Sequence, residues 1–408
     1  MTVAQHSVDD AIVEELGMTE FDLDATNNSG DSETAMFGRR ELRWFQVAAL
    51  HYVEECIVKH ATDGCRILIN KPTGVGKTLT SGAILISEPI RKALAKPGEP
   101  LRVLYASHMH RLLTQAERAF SEENSIRTIT DADLANYKKD PATCTEIYYY
   151  SVASKMPSFE FDLVIIDEAH HEAMATIQHH LVHMSSTPII GLTATKKRPD
   201  GMVIKFEHIF APISREQAVE EGWLAETSVR SILDLSGTNK VPILTSLLTH
   251  FAEQMGQTMV FVRTIAEVEK ITAHLLEMGH TAVGLTNQRP KELDAILDRF
   301  GRGEIQFVVN CKKIGEGVDV AGCTDVLIGR NMGSYTMLNQ VIGRAARPDS
   351  TCTVWELIDP LGRNLDTTVV VGTPLDHKLL EPTQAGWSVH DFNFGEDSVA
   401  TALRYVEE

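Results

Sequence analysis

The chain of 408 residues lacks the features that mark several protein classes. Its six cysteines include no Cys-x-x-Cys pair, so the sequence indicates neither a structural zinc site nor a disulfide framework. No apolar run approaches the ~18 residues that a membrane-spanning helix needs. No charged-then-apolar leader opens the chain. We therefore expect a globular protein of the reducing cytoplasm that has no membrane partner.

Basic residues are also scarce, but their scarcity is uneven. The net charge is −18, and residues 1–36 contain nine Asp/Glu and no Lys/Arg. Residues 376–408 contain seven acidic and two basic residues, whereas residues 37–375 contain 40 acidic and 36 basic ones. Because the excess negative charge lies mostly in the tails, it does not exclude a polyanionic partner for the body of the chain. We expect a disordered acidic tail (1–36), two folded domains (37–225 and 226–375) and an acidic C-terminal segment (376–408).

A glycine turn between a predicted strand and a predicted helix is typical of a phosphate-binding loop. The apolar run Arg66–Asn70 leads directly into Lys71–Thr78, which reads Lys-Pro-Thr-Gly-Val-Gly-Lys-Thr, and a helical pattern follows. The glycines let backbone N–H groups wrap a phosphate, and the helix N-terminus favours an anion. Lys77 would reach the β- and γ-phosphates, and the Thr78 hydroxyl would hold Mg²⁺. The residues predicted to bind Mg-ATP are Thr73, Gly74, Val75, Gly76, Lys77 and Thr78. Lys71 departs from the general pattern, because it replaces the first glycine.

Two carboxylates follow another short apolar run. Leu163–Ile166 has the pattern of a strand buried on both faces of a parallel sheet. Asp167 and Glu168 come where this strand ends, which is where ligands bind in open α/β sheets. Asp167 would hold the same Mg²⁺ as Thr78, and Glu168 would polarise the attacking water. We assign His170, which completes Asp-Glu-Ala-His, to the same Mg-ATP site.

From Lys240 a second alternation of strands and helices begins, without a second phosphate loop. Short apolar strands between helical stretches predict another parallel sheet with helices on both faces, so the fold class is α/β. On a helix, Gln340, Arg344 and Arg347 share one face. Two arginines and an amide suit the γ-phosphate and its developing charge, so we predict that all three are catalytic.

Taken together, these residues resemble a superfamily 2 helicase motor of the DEAH type over residues 37–360. The matching segments are Lys71–Thr78 (motif I), Asp167–His170 (motif II), Gly191–Thr195 (motif III), Gly315–Asp319 (motif V) and Gln340–Arg347 (motif VI). The doubled histidine at His170 and His171, with Glu220–Ala225, is similar to the XPB-like and restriction-subunit (Res)-like group, which also includes phage helicases.

The resemblance implies two RecA-like lobes with ATP in the cleft between them. It places Gln46 where an adenine-reading glutamine would lie, and it puts Gly317 and Asp319 among the nucleotide contacts. It also implies that Arg344 and Arg347 reach ATP only when the lobes close, and that hydrolysis reopens the cleft.

The implied function is an ATP-dependent DNA helicase or translocase, working as a monomer, that tracks a single strand across both lobes. Two alternatives stay open: a motor that moves RNA, because a phosphate-tracking groove tolerates either sugar, and a regulatory ATPase or binding module that never unwinds. The N-terminal tail could inhibit the motor, dock a replication or repair protein through Ile12, Val13 and Leu16, or only maintain solubility. The candidate strand contacts are Ser107, Ser151, Lys197, Arg198, Arg263 and Lys312.

Overall fold

Two β-sheets organise the chain in the computed structural model. The structure describes residues 35–60, 64–135, 137, 143–151, 154, 157–170, 186–194, 206–234, 239–311, 322–330, 332, 338, 341–343, 345, 352–358, 367–371 and 374–392. The strands of the first sheet lie between residues 66 and 210, and those of the second lie between residues 227 and 391. Each sheet forms the centre of one lobe, so the expected two-lobe α/β fold is confirmed.

The first described residues anchor the chain on the first lobe. Strands β1 (Met36–Phe37) and β2 (Arg40–Glu41) form a short antiparallel hairpin. Helix α1 (Trp44–His60) follows. The buried Phe37 ring fills the space above Gly82, where an added Cβ would come within 2.6 Å of the ring. The hairpin and α1 are therefore packed on the core of the first lobe.

Seven strands form the first sheet, and all of their pairings are parallel. They are β3 (Arg66–Asn70), β4 (Leu101–Ser107), β5 (Ile126–Thr128), β6 (Thr145–Ser151), β7 (Leu163–Asp167), β8 (Ile189–Thr193) and β9 (His208–Phe210). Their order across the sheet is β5–β6–β4–β7–β8–β3–β9. In β3, Ile67 and Ile69 pack into one core cluster and Leu68 into another, so the strand is buried on both faces.

Helices cover this sheet and carry the connections between its strands. Those in the described part of the first lobe are α1, α2 (Lys77–Ile86), α3 (Glu88–Leu94), α4 (His110–Phe120), α5 (Asp131–Ala135) and α6 (Arg215–Glu220). In α4 the buried residues Leu113, Ala116 and Phe120 recur at helical spacing, so one face of the helix packs on the core. None of the helices in the described ranges is long and apolar enough to cross a membrane.

The second sheet has the same architecture with one addition. Its strands are β10 (Thr227–Leu233), β11 (Thr258–Phe261), β12 (Ala282–Leu285), β13 (Phe307–Asn310), β14 (Asp325–Ile328), β15 (Cys352–Ile358), β16 (His377–Thr383) and β17 (Gly386–Asp391). Their order is β12–β13–β11–β14–β15–β10–β16–β17, and the pairing of β16 with β17 is antiparallel whereas the other pairings are parallel. The described helices of this lobe are α7 (Val241–Phe251), α8 (Ile265–Glu277), α9 (Pro290–Gly301) and α10 (Thr368–Val371), with a 3-10 turn at Ala252–Gln254.

The hairpin of β16 and β17 lies beyond residue 375, within the range that the sequence suggested as an acidic C-terminal segment. It joins the second sheet through β10, where His377–Leu380 pair with Val229–Ile232. Leu379 and Leu380 are buried. The second sheet therefore extends to Asp391.

The features that join the lobes in the described ranges include the connecting segment and a distant ion pair. Residues 221–226 connect the end of α6 to the start of β10, so the chain passes directly from one sheet into the other. Farther away, Arg111 Nη2 on α4 lies 2.7 Å from Asp294 Oδ1 on α9. Both side chains are partly exposed, so this ion pair contributes only a modest amount to the stability of the arrangement.

Candidate nucleotide-binding site

The loop after β3 has the backbone geometry of a phosphate-binding turn. Gly74 has a φ of 96° and Gly76 a φ of 81°, both in the left-handed region that favours glycine. Gly76 is also the N-cap of α2, and the start of this helix has no capping hydrogen bond from a side chain. The first N–H groups of α2 are therefore not closed off by a side chain and can face an anion.

Gln46 fastens α1 to this loop. Its Nε2 donates to the carbonyl of Val75 at 3.1 Å, and its Oε1 accepts from the backbone N–H of Arg43 at 2.9 Å. A Cβ added to Gly76 would lie 2.7 Å from Gln46 Nε2, so a larger residue would displace the amide from this position. Nε2 also donates a longer hydrogen bond to the carbonyl of Gly76 at 3.5 Å, and one lone pair of Oε1 remains for a ligand. The structure thus brings Gln46 to the phosphate loop, and base reading by this side chain stays a prediction.

The two carboxylates lie at the end of β7, as the sequence predicted. Asp167 is the last residue of the strand, and its Oδ1 accepts a hydrogen bond from the backbone N–H of Glu168 at 3.0 Å. The backbone of Glu168 has a φ of 52°. Among the residues that the structure describes, every other residue with a positive φ is a glycine. Such a conformation costs about 1–2 kcal/mol and is found most often at functional sites.

Lys77 and Glu168 face each other across the site. Their Nζ and Oε1 atoms lie 3.9 Å apart, and both side chains are largely buried. Glu168 Oε2 lies 3.4 Å from His170 Nδ1, and this ring nitrogen shares a hydrogen bond of 2.9 Å with the Thr193 hydroxyl. The carbonyl of Thr193 in turn accepts from the backbone N–H of Lys71 at 2.9 Å. His170 therefore connects the carboxylates to β8 and to the start of the phosphate loop.

The electrostatics of the site favour an added cation. Burial, followed by the neighbouring Glu168 carboxylate, raises the pKa of Asp167 to about 7, although Lys77 opposes this shift. Asp167 and the Thr78 hydroxyl offer oxygen ligands, which Mg²⁺ prefers. The Thr73 hydroxyl is buried without a hydrogen-bond partner in the described part of the chain, so it can bond to a phosphate oxygen. These observations fit the binding of Mg-ATP.

Two family models match the chain, one over each lobe. The model described as "Type III restriction enzyme, res subunit" matches residues 39–198. The model described as "Helicase conserved C-terminal domain" matches residues 239–349. The chain belongs to the Res-like superfamily 2 helicases. The family resemblance suggested by the motifs is thereby confirmed, and a family of this kind implies the use of ATP.

Relatives and solved structures agree with this membership. The chain is 26% identical over 234 residues to the putative ATP-dependent helicase IRC3 of Saccharomyces cerevisiae, which covers 49% of this chain and 34% of the relative. It is 25% identical over 370 residues to the type I restriction enzyme EcoAI endonuclease subunit of Escherichia coli, which covers 75% of this chain and 44% of that subunit. It thus spans less than half the length of either relative.

The fold also resembles that of the ATP-dependent Type ISP restriction-modification enzyme LlaBIII, solved bound to DNA. The TM-score is 0.63 at 17% identity, and the match covers 99% of this chain and 37% of that enzyme. At this identity the likeness supports the two-lobe fold alone.

Several predicted site residues lie outside the described residues. They are Gln340, Arg344, Arg347, Gly317 and Asp319, together with the candidate strand contacts Lys197, Arg198 and Lys312. The described residues near motif VI, including Val341, Ile342 and Ala345, are buried in the core of the second lobe. The roles of the undescribed residues stay predictions.

Among the other candidate strand contacts, Ser107 and Ser151 are register partners at the carboxyl ends of β4 and β6. Both are buried, and their hydroxyls have no hydrogen-bond partner within the described residues. Arg263 follows β11 and has a side chain that is 62% exposed. Of these three residues, Arg263 is therefore the one whose exposure suits contact with a nucleic acid.

Lys71 is a site residue whose environment the sequence did not reveal. It is fully buried, donates to the Thr80 hydroxyl and lies 5.8 Å from the centre of the Phe45 ring. Burial, followed by the nearby cations Lys77 and Arg43, holds the pKa of Lys71 well below its ordinary value. The sequence signal was the replaced glycine, but the burial depends on α1, which is distant along the chain.

Proposed function

We propose that this chain hydrolyses ATP to move along or unwind DNA. The observation that carries the proposal is the contact between Lys77 and Glu168, 3.9 Å apart at the carboxyl ends of β3 and β7. It brings a phosphate-binding cation and a candidate general base together in a largely buried site, which is what phosphoryl transfer to water requires.

In this proposal the residues of the first lobe bind the phosphates and Mg²⁺. The phosphate loop and the N-terminus of α2 bind the phosphates, and Lys77 neutralises their charge. Thr78 and Asp167 are the proposed ligands of Mg²⁺. Bound Mg-ATP would supply the phosphoryl group that is cleaved and a positive charge that offsets the two carboxylates.

Glu168 is the proposed general base. Its Oε2 is buried and has no hydrogen-bond partner among the described residues, so this oxygen is available to accept a proton from the attacking water. Lys77 holds the other carboxylate oxygen, and His170 lies beside Oε2. The strained backbone at Glu168 turns the carboxylate relative to its neighbour Asp167.

The second lobe completes the site when the cleft closes. In this proposal Arg344 and Arg347 reach the γ-phosphate, Gln340 orients the water, and Gly317 and Asp319 contact the nucleotide. The proposed domains are 37–225 and 226–392, the latter including the hairpin of β16 and β17. Residues 221–226 would act as the connector on which the second lobe moves.

DNA is the proposed polymer. The E. coli relative is named as a restriction endonuclease subunit, and the LlaBIII structure contains DNA. Contacts to the strand are proposed to be with phosphates, so they are independent of sequence and weaken as salt rises. RNA differs from DNA at the 2′-hydroxyl, so discrimination between the two polymers depends on this group and not on the phosphates.

The test compares ATP hydrolysis without nucleic acid and with single-stranded DNA or RNA of the same sequence. We expect DNA to stimulate hydrolysis more than RNA does, and Glu168→Gln to remain inactive in every arm. A strand-displacement assay on forked, three-stranded and four-way DNA then separates unwinding from translocation. Equal or greater stimulation by RNA would contradict DNA as the polymer, and hydrolysis that no nucleic acid stimulates would contradict a motor.

A further inference from the structure

Four side chains join the start of α1 to the segment that connects the lobes. We call Arg43, Trp44, Glu221 and Trp223 the connector clamp. The indole N–H groups of Trp44 and Trp223 both donate to Glu221 Oε2, each at 2.7 Å. The Arg43 guanidinium lies 4.3 Å from the centre of the Trp223 ring, within the range of a cation–π contact. One carboxylate oxygen therefore holds two indoles that are far apart in sequence.

The clamp reaches the phosphate loop through the backbone of Arg43. The N–H of Arg43 donates to Gln46 Oε1 at 2.9 Å, and Gln46 Nε2 donates to the carbonyl of Val75 at 3.1 Å. Val75 lies within the loop that the phosphates would occupy. A continuous series of contacts thus runs from this loop through Gln46 and Arg43 to the Trp223 ring.

A small hydrophobic core lies beneath the same residues. Phe45, Val75 and Leu224 are buried together in one cluster, with the Trp223 ring packed against it. Phe45 also contacts Trp223 edge to face, with ring centroids 6.2 Å apart. This cluster contains residues of α1, the phosphate loop and the connector, so none of the three segments can shift without disturbing the other two.

The other end of the connector belongs to the second lobe. Thr227 begins β10, which lies between β15 and β16 in the second sheet. A rotation of that lobe therefore acts on residues 221–226 first. The hydrogen bond from Trp44, supported by those from Trp223 and Gln217, lowers the pKa of the Glu221 carboxylate and so favours its ionised form. An ionised acceptor gives stronger hydrogen bonds to the indoles than a neutral one would.

We propose that Glu221 and Trp223 are positioning residues that couple nucleotide binding at the phosphate loop to movement of the connector. This inference rests on the proposed ATPase function. Nucleotide binding fixes Val75 and Gln46, which fix Arg43 and Phe45, and these two residues hold Trp223. Movement of the second lobe acts in the opposite direction and loosens the Arg43–Gln46 segment, which lowers the affinity for nucleotide. Neither Glu221 nor Trp223 has to touch ATP.

The kinetic test compares Glu221→Ala with Glu220→Ala in the full chain. Glu220 is the neighbouring residue with the same charge and is exposed like Glu221, so its variant controls for the loss of charge at the end of α6. We expect Glu221→Ala to raise the KM for ATP about fivefold, as the loss of contacts of this strength predicts. The kcat at saturating ATP should change less than the KM, and stimulation by DNA should fall. Glu220→Ala should match the wild type in all three.

A binding test does not depend on turnover. The chain has four tryptophans, so emission can be followed during titration with Mg-ADP. The control variant is Trp387→Phe, because the indole of Trp387 lies in the second lobe beside Phe251. We expect nucleotide to change the tryptophan emission of both the wild type and this variant. Trp223→Phe should lose most of this change and bind Mg-ADP more weakly, while melting within a few degrees of the wild type.

The outcomes separate the two proposals. Wild-type protein that binds Mg-ADP but does not hydrolyse ATP would refute the proposed function. The Mg-ADP titration would then still decide whether the connector clamp responds to nucleotide binding. A Glu221→Ala protein with the KM and DNA stimulation of the wild type, or a Trp223→Phe protein with an unchanged emission response, would overturn the coupling. Melting temperatures lowered equally by Glu221→Ala and Trp223→Phe, with no change in KM, would reduce the clamp to a structural role and overturn the proposal as well.

Discussion

The two lobes share a parallel-sheet architecture, yet β3 of the first sheet and β11 of the second lead into helices with opposite kinds of N-terminus. After β3, α2 begins at a glycine turn and has no side-chain cap. After β11, α8 begins with a complete capping box, in which Thr264 Oγ1 accepts from Glu267 N and Glu267 Oε2 accepts from Thr264 N, both at 3.2 Å. The first helix end is open to a phosphate, and the second is closed by its own side chains.

This comparison shows how similar folds come to do different work. The sheets supply equivalent strand ends, and the residues that follow decide whether a strand end binds a ligand or only stabilises the lobe. In our account the first lobe binds the nucleotide, and the second contributes arginines and movement. Each prediction below tests one side of that division.

The largest expected effect is on the rate, from Arg347→Ala in the second lobe. An arginine that stabilises the charge of phosphoryl transfer is worth ~10³–10⁵ in kcat. We expect this variant to bind Mg-ATP with little change while its turnover collapses. Arg302→Ala, an exposed arginine of the same lobe paired with Glu304, should behave as the wild type. Weakened nucleotide binding by Arg347→Ala, with kcat preserved, would contradict the division of labour.

A side chain placed at the open helix end should abolish nucleotide binding. Gly76→Ala adds a Cβ 2.7 Å from Gln46 Nε2 at a residue with a φ of 81°. Gly98→Ala is the matched control, because Gly98 has a φ of 76° and has nothing within 4 Å of an added Cβ. Both variants should lose roughly 1 kcal/mol to backbone strain. Calorimetric titration with Mg-ADP should detect binding by Gly98→Ala and none by Gly76→Ala; equal affinities would refute the role of the turn.

Removing the cap of the closed helix should affect stability alone. Thr264→Ala takes away the acceptor for the Glu267 N–H, and loss of such a cap costs about 1 kcal/mol. We expect a melting temperature lower by a few degrees and an unchanged KM for ATP. A change in KM without a loss of stability would show that this helix end also takes part in nucleotide binding.

The smallest effect is a pH-dependent gain in stability from Lys71→Met. Because burial holds the pKa of Lys71 well below its ordinary value, the folded state disfavours the charged form. The unfolded chain binds the proton below a pH of about 10.4, so the cost of burying Lys71 increases as the pH falls from there. Lys71→Met should therefore melt higher than the wild type at pH 7, by about 3 °C, and the gain should shrink towards pH 10.

The matched control for this experiment is Lys77→Met. Lys77 is also largely buried, but it faces the Glu168 carboxylate. Its loss leaves that carboxylate without the cation, so we expect no stabilisation of the protein without nucleotide. A lower melting temperature for Lys71→Met at pH 7 would show that its bond to Thr80 outweighs the cost of burial.

The apolar strands of the fold could be predicted from the sequence because each carries its own pattern. Arg66–Asn70 has the bounds that its apolar run indicated, and the strand that begins at Leu163 extends one residue beyond its run, to Asp167. The strands β16 and β17 lack such runs, since they lie at the edge of the sheet and bury little beyond Leu379 and Leu380. Strand β16 is specified by its pairing with β10, and β17 by its pairing with β16, and a local pattern reveals neither pairing.

The same difference holds for the candidate site. Lys77, Asp167 and Glu168 could be predicted because each follows a strand in a motif of fixed spacing. The left-handed backbone of Glu168, the burial of Lys71 and the connector clamp could not, because they depend on contacts between distant segments. Trp44 and Glu221, for example, are 177 residues apart in sequence.

The central claim is that the pair formed by Lys77 and Glu168 performs ATP hydrolysis, and Glu168→Gln tests it most directly. Binding of Mg-ATP and single-turnover hydrolysis should be measured on the same preparation, with single-stranded DNA present. We predict wild-type affinity for Mg-ATP and a hydrolysis rate lower by about 10²–10⁴, the usual contribution of a general base. Hydrolysis by Glu168→Gln at close to the wild-type rate would contradict the account.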